Sequence, residues 1–443
     1  MVSYFSLWSM CAAVLVMISS TTWAASPTSE NIDNNLGYII SRSYDHFAKS
    51  ASNANQLNEI QLKAEQYFSN EKYAEALKTL ATNNALNAKY FSDPKMQSTI
   101  RLALQLHSQV IVEELLAQAN QQANVGVEGI ITFELSRFYA DLENWDKVIH
   151  LLSDDSLFEQ LSLADRAEAN VLLGTALQKQ KKHREAMKLY ERVSEDSDYF
   201  RIAQLNLATS YLRQEWWTDA FSSINNALKV NIKKRDALDY RLYTVLGYAQ
   251  IQFGFYRDAR ESFRNIAISS EYANRALLGL GIAALHQQDF IGALNAFDTL
   301  RTKAQPDISV AEAHLLSAFT LRQLEQYDAA TSRYQEAINY YQKISSDIAI
   351  KLSSAEPVSL TFLHKQYSTD KILINNDKKL SLLNSLEKMN VDHNGSSATN
   401  NLRSKINRES AQRAAKLLQE EKDTIDSYLS QSRFGLASLY DHK

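Results

Sequence analysis

The chain has 443 residues, room for two or three ordinary domains or one long repeat array. Its 47 Lys and Arg against 51 Asp and Glu give a formal net charge of −4; the basic residues are scattered, which excludes the electrostatic footprint of a nucleic-acid binder. Gly 11 and Pro 4 fall far below their usual shares of about 7% and 5%, so breakers are few and the composition predicts an all-α chain.

The first element is a leader. Residues 1–24 carry an apolar run from Phe5 to Ser19, too short to span a bilayer comfortably, followed by small residues at Thr22 and Ala24. The stretch before the run has no Lys or Arg, so a buried N-terminal helix is the alternative to a secretory signal peptide. Cys11 is the single cysteine, and cleavage would leave a mature chain without disulfide or thiol chemistry. The expected location is periplasmic. No later segment has the roughly 20 consecutive apolar residues of a membrane span. Residues 25–51 are polar at first and weakly helical from Gly37, which predicts an N-terminal cap or flexible segment.

From 52 to 345 the chain repeats. Seven stretches share one pattern: EKYAEAL, ENWDKVI, KKHREAM, EWWTDAF, GFYRDAR, QDFIGAL and EQYDAAT. Each sets a ring (Tyr73, Trp145, His183, Trp217, Tyr256, Phe290, Tyr327) three positions before Ala76, Val148, Ala186, Ala220, Ala259, Ala293 or Ala330. Twelve positions before that anchor stands a small residue: Ala64, Ser136, Gly174, Ala208, Gly247, Gly281 or Ala318. Four positions after it stands a large one: Leu80, Leu152, Tyr190, Ile224, Phe263, Phe297 or Tyr334. Helices joined by a short turn approach to about 8–10 Å when small side chains face each other at the crossing. The pattern therefore predicts helix hairpins, with small set against small, the large residue filling the groove above, and the ring covering the end of the first helix. Each hairpin leaves an apolar face bare, and the next must stack on it.

These residues resemble the tetratricopeptide repeat family over roughly Asn58 to Tyr340, most closely in LATSYLRQEWWTDAFSSINNA. Successive small residues lie 34 to 39 apart, against about 34 in the family; the longer steps imply extended helices or loops. A degenerate unit is expected around Ala103, where SQVIVEE lacks the ring. The resemblance implies a right-handed α-solenoid of about eight hairpins, with the first helix of each lining a concave surface. Candidate partner-binding residues on that surface are Arg137, Lys179, Arg213, Arg241, Tyr248, Gln252, Arg275, His286, Phe319 and Arg322. Arginines pair carboxylates with two hydrogen bonds and rings supply apolar anchors, which suits an extended acidic or C-terminal peptide. The Asn of the family's known peptide clamp is replaced by Thr175, Thr209, Tyr248, Ile282 and Phe319, which argues against that mode of capture.

Residues 346–401 are expected to form an irregular docking segment and linker: a loop around Pro357, a short helix in LSLLNSLEKM, then NVDHNGSSATNN. Residues 402–443 predict a long amphipathic helix. Ala411, Leu418, Ile425 and Leu439 recur at heptad spacing, and the helix either caps the array or pairs with another chain. No catalytic, metal or cofactor constellation is visible: the nine His make no His-x3-His pair, and there is no Gly-rich phosphate loop. The sequence thus predicts a non-catalytic periplasmic adaptor that binds envelope proteins or peptides through its concave surface. The alternative is a structural protein that oligomerises through its C-terminal helix.

Overall fold

The computed structural model describes residues 27–49, 56–122, 124–230, 235–303, 307–353, 370–389 and 396–440. The leader, Cys11, the loop around Pro357 and residues 390–395 of the expected linker lie outside them. Among the described residues there are 20 α-helices, one short 3-10 helix at Ala88–Tyr90, and no strand. They fall into two compact units, one of residues 27–200 and 370–414, the other of 201–353 and 415–440.

The first unit opens with α1, Pro27–Ala48, which continues into hairpins α2/α3 (Leu57–Ser69, Tyr73–Thr82), α4/α5 (Met96–Gln105, Gln109–Gln121) and α6/α7 (Val125–Asp141, Trp145–Leu152). The short α8, Asp155–Gln160, precedes a fourth hairpin, α9/α10 (Leu163–Lys179, His183–Glu191), and accounts for one of the long repeat steps. The second unit holds α11/α12 (Phe200–Arg213, Trp217–Lys229), α13/α14 (Ala237–Gln252, Tyr256–Arg264), α15/α16 (Ala273–His286, Phe290–Arg301) and α17/α18 (Ile308–Gln323, Tyr327–Ser353). After the hairpins come α19, Lys371–Lys388, in the first unit, and α20, Ser396–Tyr440, whose first part belongs to the first unit and whose remainder belongs to the second. The degenerate unit around Ala103 is thus a genuine hairpin, bringing the number among the described residues to eight.

One turn geometry closes all eight. Two residues before each second helix the backbone is left-handed: Glu71, His107, Glu143, Lys181, Glu215, Gly254, Gln288 and Glu325, with φ between 55° and 82°. The next N–H then reaches back five residues to an orphan carbonyl of the first helix, as Lys72 does to Tyr67, Trp216 to Tyr211 and Gln326 to Leu321. In seven of the eight the recurring ring is the first residue of the second helix. Tyr73 covers Phe68 of its own first helix, as expected. Other rings reach the next turn instead: Trp217 packs on Phe253 and Phe255, and Tyr256 stacks flat on His286 at 4.4 Å.

The crossing differs in detail from small against small. A Cβ on Gly174 would lie 2.6 Å from the Tyr190 ring, one on Gly247 2.6 Å from Phe263, and one on Gly281 2.3 Å from Phe297. The glycine of the first helix therefore seats the large residue of the second, while Ala186, Ala259 and Ala293 are themselves fully buried. Phe263 also meets Gly279 of the following first helix, so one ring locks three helices together. Burying a side chain of this size contributes roughly 1.5–3 kcal/mol.

Three segments depart from expectation. Over the described part of the expected N-terminal segment there is one long helix: α1 begins at Pro27, a good first-turn residue, and buries Ile32, Leu36, Ile40, Tyr44 and Phe47. Helix α18 runs on to Ser353, and α20 starts at Ser396 rather than at Leu402. Helix α19 takes in KILINNDKK, read as loop, because its buried face includes polar residues that hide the stripe. Lys379 of α19 pairs with Asp33 of α1 at 2.6 Å, and Asn376 donates to Glu409 and Ser410 of α20. In the second unit, Gly435 of α20 seats Tyr334 just as Gly279 seats Phe263, so the C-terminal helix stands where a further first helix would stack.

Candidate functional site

The ten candidate residues divide between the units. Arg213, Arg241, Gln252 and Arg275 lie exposed on the first helices α11, α13 and α15. None of these three arginines joins an ion pair among the described residues. Nearby arginines do: Arg201 meets Asp236 and Asp239, Arg260 meets Asp289, and Arg301 meets Asp298 and Glu336. Tyr248 donates to the carbonyl of Arg275 at 2.8 Å and packs edge-on against Phe263, tying α13 to α15. Tyr272, which sequence reasoning missed, stands within electrostatic reach of both Arg241 and Arg275. Burial and Glu271 raise its phenol, and the two arginines pull it back.

The remaining candidates are engaged in packing. His286 is stacked on Tyr256, and burial holds its imidazole below the ordinary value. Phe319 packs against the core of its unit, and Arg322 lies beside Tyr334, whose phenol burial pushes up to about 12. In the first unit, Lys179 sits over the Trp145 ring at 5.8 Å, and Arg137 is ion-paired with Glu168 at 3.1 Å.

Arg137 leads to a feature the sequence did not announce. A cleft of about 290 Å³ opens in the first unit between α19 and the first three hairpins. Its polar side is organised by Glu134, whose carboxylate is 1% exposed. Glu134 accepts from Arg101 Nε at 3.0 Å and Nη2 at 2.7 Å, and from Gln97 at 2.9 Å, with Arg137 at 3.7 Å. The Glu134 hydrogen bond raises the Arg101 guanidinium further above its ordinary value. Tyr199 donates to Glu168 behind Arg137, and its phenol is pushed up to about 12 by burial and by that bond. The apolar side includes Phe68, Leu104, Phe138 and Leu382.

His107 lines the same cleft at the left-handed turn position of the second hairpin. Burial, with Lys379 and Lys378 nearby, lowers its pKa to about 3, so the ring is neutral at ordinary pH. It packs edge-on against Phe138, and its buried Nδ1 has no hydrogen-bond partner among the described residues. Helix α19 is held over the cleft by polar bonds to hairpin ends. Asn375 donates to the Asp141 carbonyl at the end of α6, and Ser385 accepts the Ala74 N–H at the start of α3. Two charged residues three apart, Glu134 and Arg137, inside the otherwise largely apolar run ITFELSRFYA were the local hint of this site.

Residues 244–308 match the tetratricopeptide repeat family. This stretch carries the tetratricopeptide repeat. The matched residues cover most of α13, all of α14 to α16 and the start of α17, where the glycine-seated rings Phe263 and Phe297 lie. Among solved structures, a tetratricopeptide repeat protein from Parabacteroides merdae is 16% identical, with 62% of this chain and 97% of that one covered and a TM-score of 0.38. The apo form of RapI is 13% identical, with 76% of this chain and 99% of that one covered and a TM-score of 0.47. No curated protein matches the sequence. Among the described residues no helix is long and apolar enough to cross a membrane, and no group of three or more His, Cys, Asp or Glu could hold a metal ion.

Proposed function

We propose that the protein is a non-catalytic scaffold of the periplasm whose second unit binds an acidic segment of an envelope protein through the first helices of its repeats. The observation that carries this is the row of Arg213, Arg241 and Arg275, exposed on three successive first helices while neighbouring arginines are neutralised by carboxylates. A carboxylate arriving at such a row gains charge-assisted, bidentate hydrogen bonds without first breaking internal pairs. Tyr248 on α13, Tyr272 at the start of α15 and Phe319 on the next first helix, α17, supply half-buried rings. The apolar leader-like segment supports the periplasmic location, which fractionation and N-terminal sequencing of the mature chain would check.

The test is capture from an envelope extract by wild type and by Arg213→Glu/Arg275→Glu, at low and at moderate salt. The expected result is loss of one or more specific partners in the variant and a salt-sensitive interaction in the wild type. Equal recovery of every partner removes the reading.

Self-association through α20 is a second reading. Leu418, Ile425, Ser432 and Leu439 of its heptad stripe are buried within the chain, which leaves Phe434 and Tyr440, 75% and 67% exposed, as the available contacts. Light scattering of the full chain against Phe434→Ser/Tyr440→Ser decides it, an unchanged mass ruling it out.

A further inference from the structure

We propose that the cleft beneath α19 binds a small amphipathic monoanion, a carboxylate joined to an apolar body, presented either by a free acid or by the C-terminal residue of a chain. Three cations and two carboxylates line it: Arg101, Arg137 and Lys378 against Glu134 and Asp141. Glu134 and Glu168 already pair Arg101 and Arg137, so Lys378 is the lining cation that a single arriving carboxylate can meet without displacing a partner, and a dianion would be under-compensated. Arg101 and Arg137 are already held in place by Glu134 and Glu168, so ordering them adds little cost on binding. Lys378 is exposed on α19 and makes no ion pair among the described residues.

The other walls select the rest of the ligand. Phe138, Leu104 and Leu382 offer an apolar bed, and about 290 Å³ lies at the small end of ligand sites, enough for one apolar side chain and its acid group. His107 lines this bed as a buried neutral imidazole. Because α19 contributes Asn375, Lys378 and Leu382 while the hairpins and their turns contribute the rest, an occupant fastens α19 to the repeats. Occupancy therefore raises the melting temperature by mass action. The site lies in the first unit and stands whether or not the arginine row of the second unit has a partner.

The experiment is calorimetric titration of the full chain with N-acetylphenylalanine and its amide, and with a pentapeptide ending in phenylalanine as free acid or amide. The variants are Lys378→Glu, which changes an exposed residue, and His107→Asn, which keeps a side chain tolerant of the left-handed turn; circular dichroism melts confirm that each is folded. At least one free acid should bind at least about tenfold more tightly than its amide, and Lys378→Glu should lose at least about tenfold in affinity. Binding of N-acetylphenylalanine supports a free-acid source, and binding of the peptide acid alone supports a chain terminus. Absence of binding by both acids, equal affinity for acid and amide, or an unchanged affinity in folded Lys378→Glu overturns the proposal.

Discussion

Replacing Gly279 by Ala puts one methyl group against the ring that joins three helices. Phe263 is 1% exposed, and the added Cβ would lie 2.3, 2.4 and 2.8 Å from its Cζ, Cε2 and Cε1 atoms. Comfortable carbon–carbon contact begins near 3.5 Å, so the ring would have to retreat by about 1 Å. On its other side Gly247 already meets it closely, and Tyr248 packs against its edge, so retreat is blocked. Helix propensity alone favours Ala over Gly by about 1 kcal/mol, while overpacking a tight core costs about 1–3 kcal/mol. With both faces of the ring occupied the upper part of that range applies, and the expected net loss is about 1–2 kcal/mol. Urea unfolding followed by the fluorescence of Trp216 and Trp217, in the same unit, reads it as a lowered midpoint. Adding Phe263→Leu should recover part of the loss, with a coupling of at least about 0.5 kcal/mol in a double-mutant cycle. Gly126→Ala, where a Cβ meets nothing within 4 Å, should not destabilise. If Gly279→Ala raises the midpoint, or shows no coupling to Phe263, the glycine-seated ring is not what holds neighbouring hairpins together.

Other outcomes follow from the turns and from buried charge. Glu215→Gly, at φ 60°, should stabilise by about 1 kcal/mol by relieving a left-handed residue, whereas Gly254→Val, at φ 82°, should destabilise; thermal melts compare them. Lys379→Met, which removes the buried ammonium paired with Asp33, should cost about 3–5 kcal/mol, and Asp33→Asn/Lys379→Met clearly less, read by urea unfolding of the first unit. Glu312, buried with Tyr428 donating to it, has its carboxyl pushed up from 4.5 to about 7 by burial. The folded state then holds a proton that the unfolded state has lost, so stability falls as pH rises from 4.5 to 7, and Glu312→Gln should flatten that slope. His107 has the opposite sign: its folded pKa lies at about 3, below the ordinary 6.5, so stability falls as pH drops through that window, and His107→Asn should remove this contribution.

Much of the repeat architecture was legible because it depends on local spacing. The ring that starts each second helix, the small residue at the crossing and the large residue sixteen positions beyond it sit at fixed separations, and all three recur in EWWTDAF and its relatives. The left-handed turn residue was not legible, since seven of the eight are Glu, Lys, Gln or His rather than Gly. Packing on both sides holds these backbones where intrinsic preference would not. Helix α19 was read as loop for a related reason. Asn376 and Lys379 count as polar in any pattern, and become core residues only when Glu409 and Asp33, distant in sequence, arrive to pair with them.

The candidate site divides the same way. Arg213, Arg241 and Arg275 could be placed on first helices from the repeat register, but only the folded chain shows that they are exposed and that Arg137 is drawn into the carboxylates of Glu134 and Glu168. What the sequence by itself determined is the hairpin and its repetition, because a hairpin is closed by residues less than twenty positions apart. What only the tertiary structure decided is the division into two units, the helix laid over the first three hairpins and the cleft beneath it. Those depend on polar pairs as distant as Ala74 with Ser385 and Asn375 with Asp141, which form only when segments far apart in sequence meet and so leave no periodic trace along the chain.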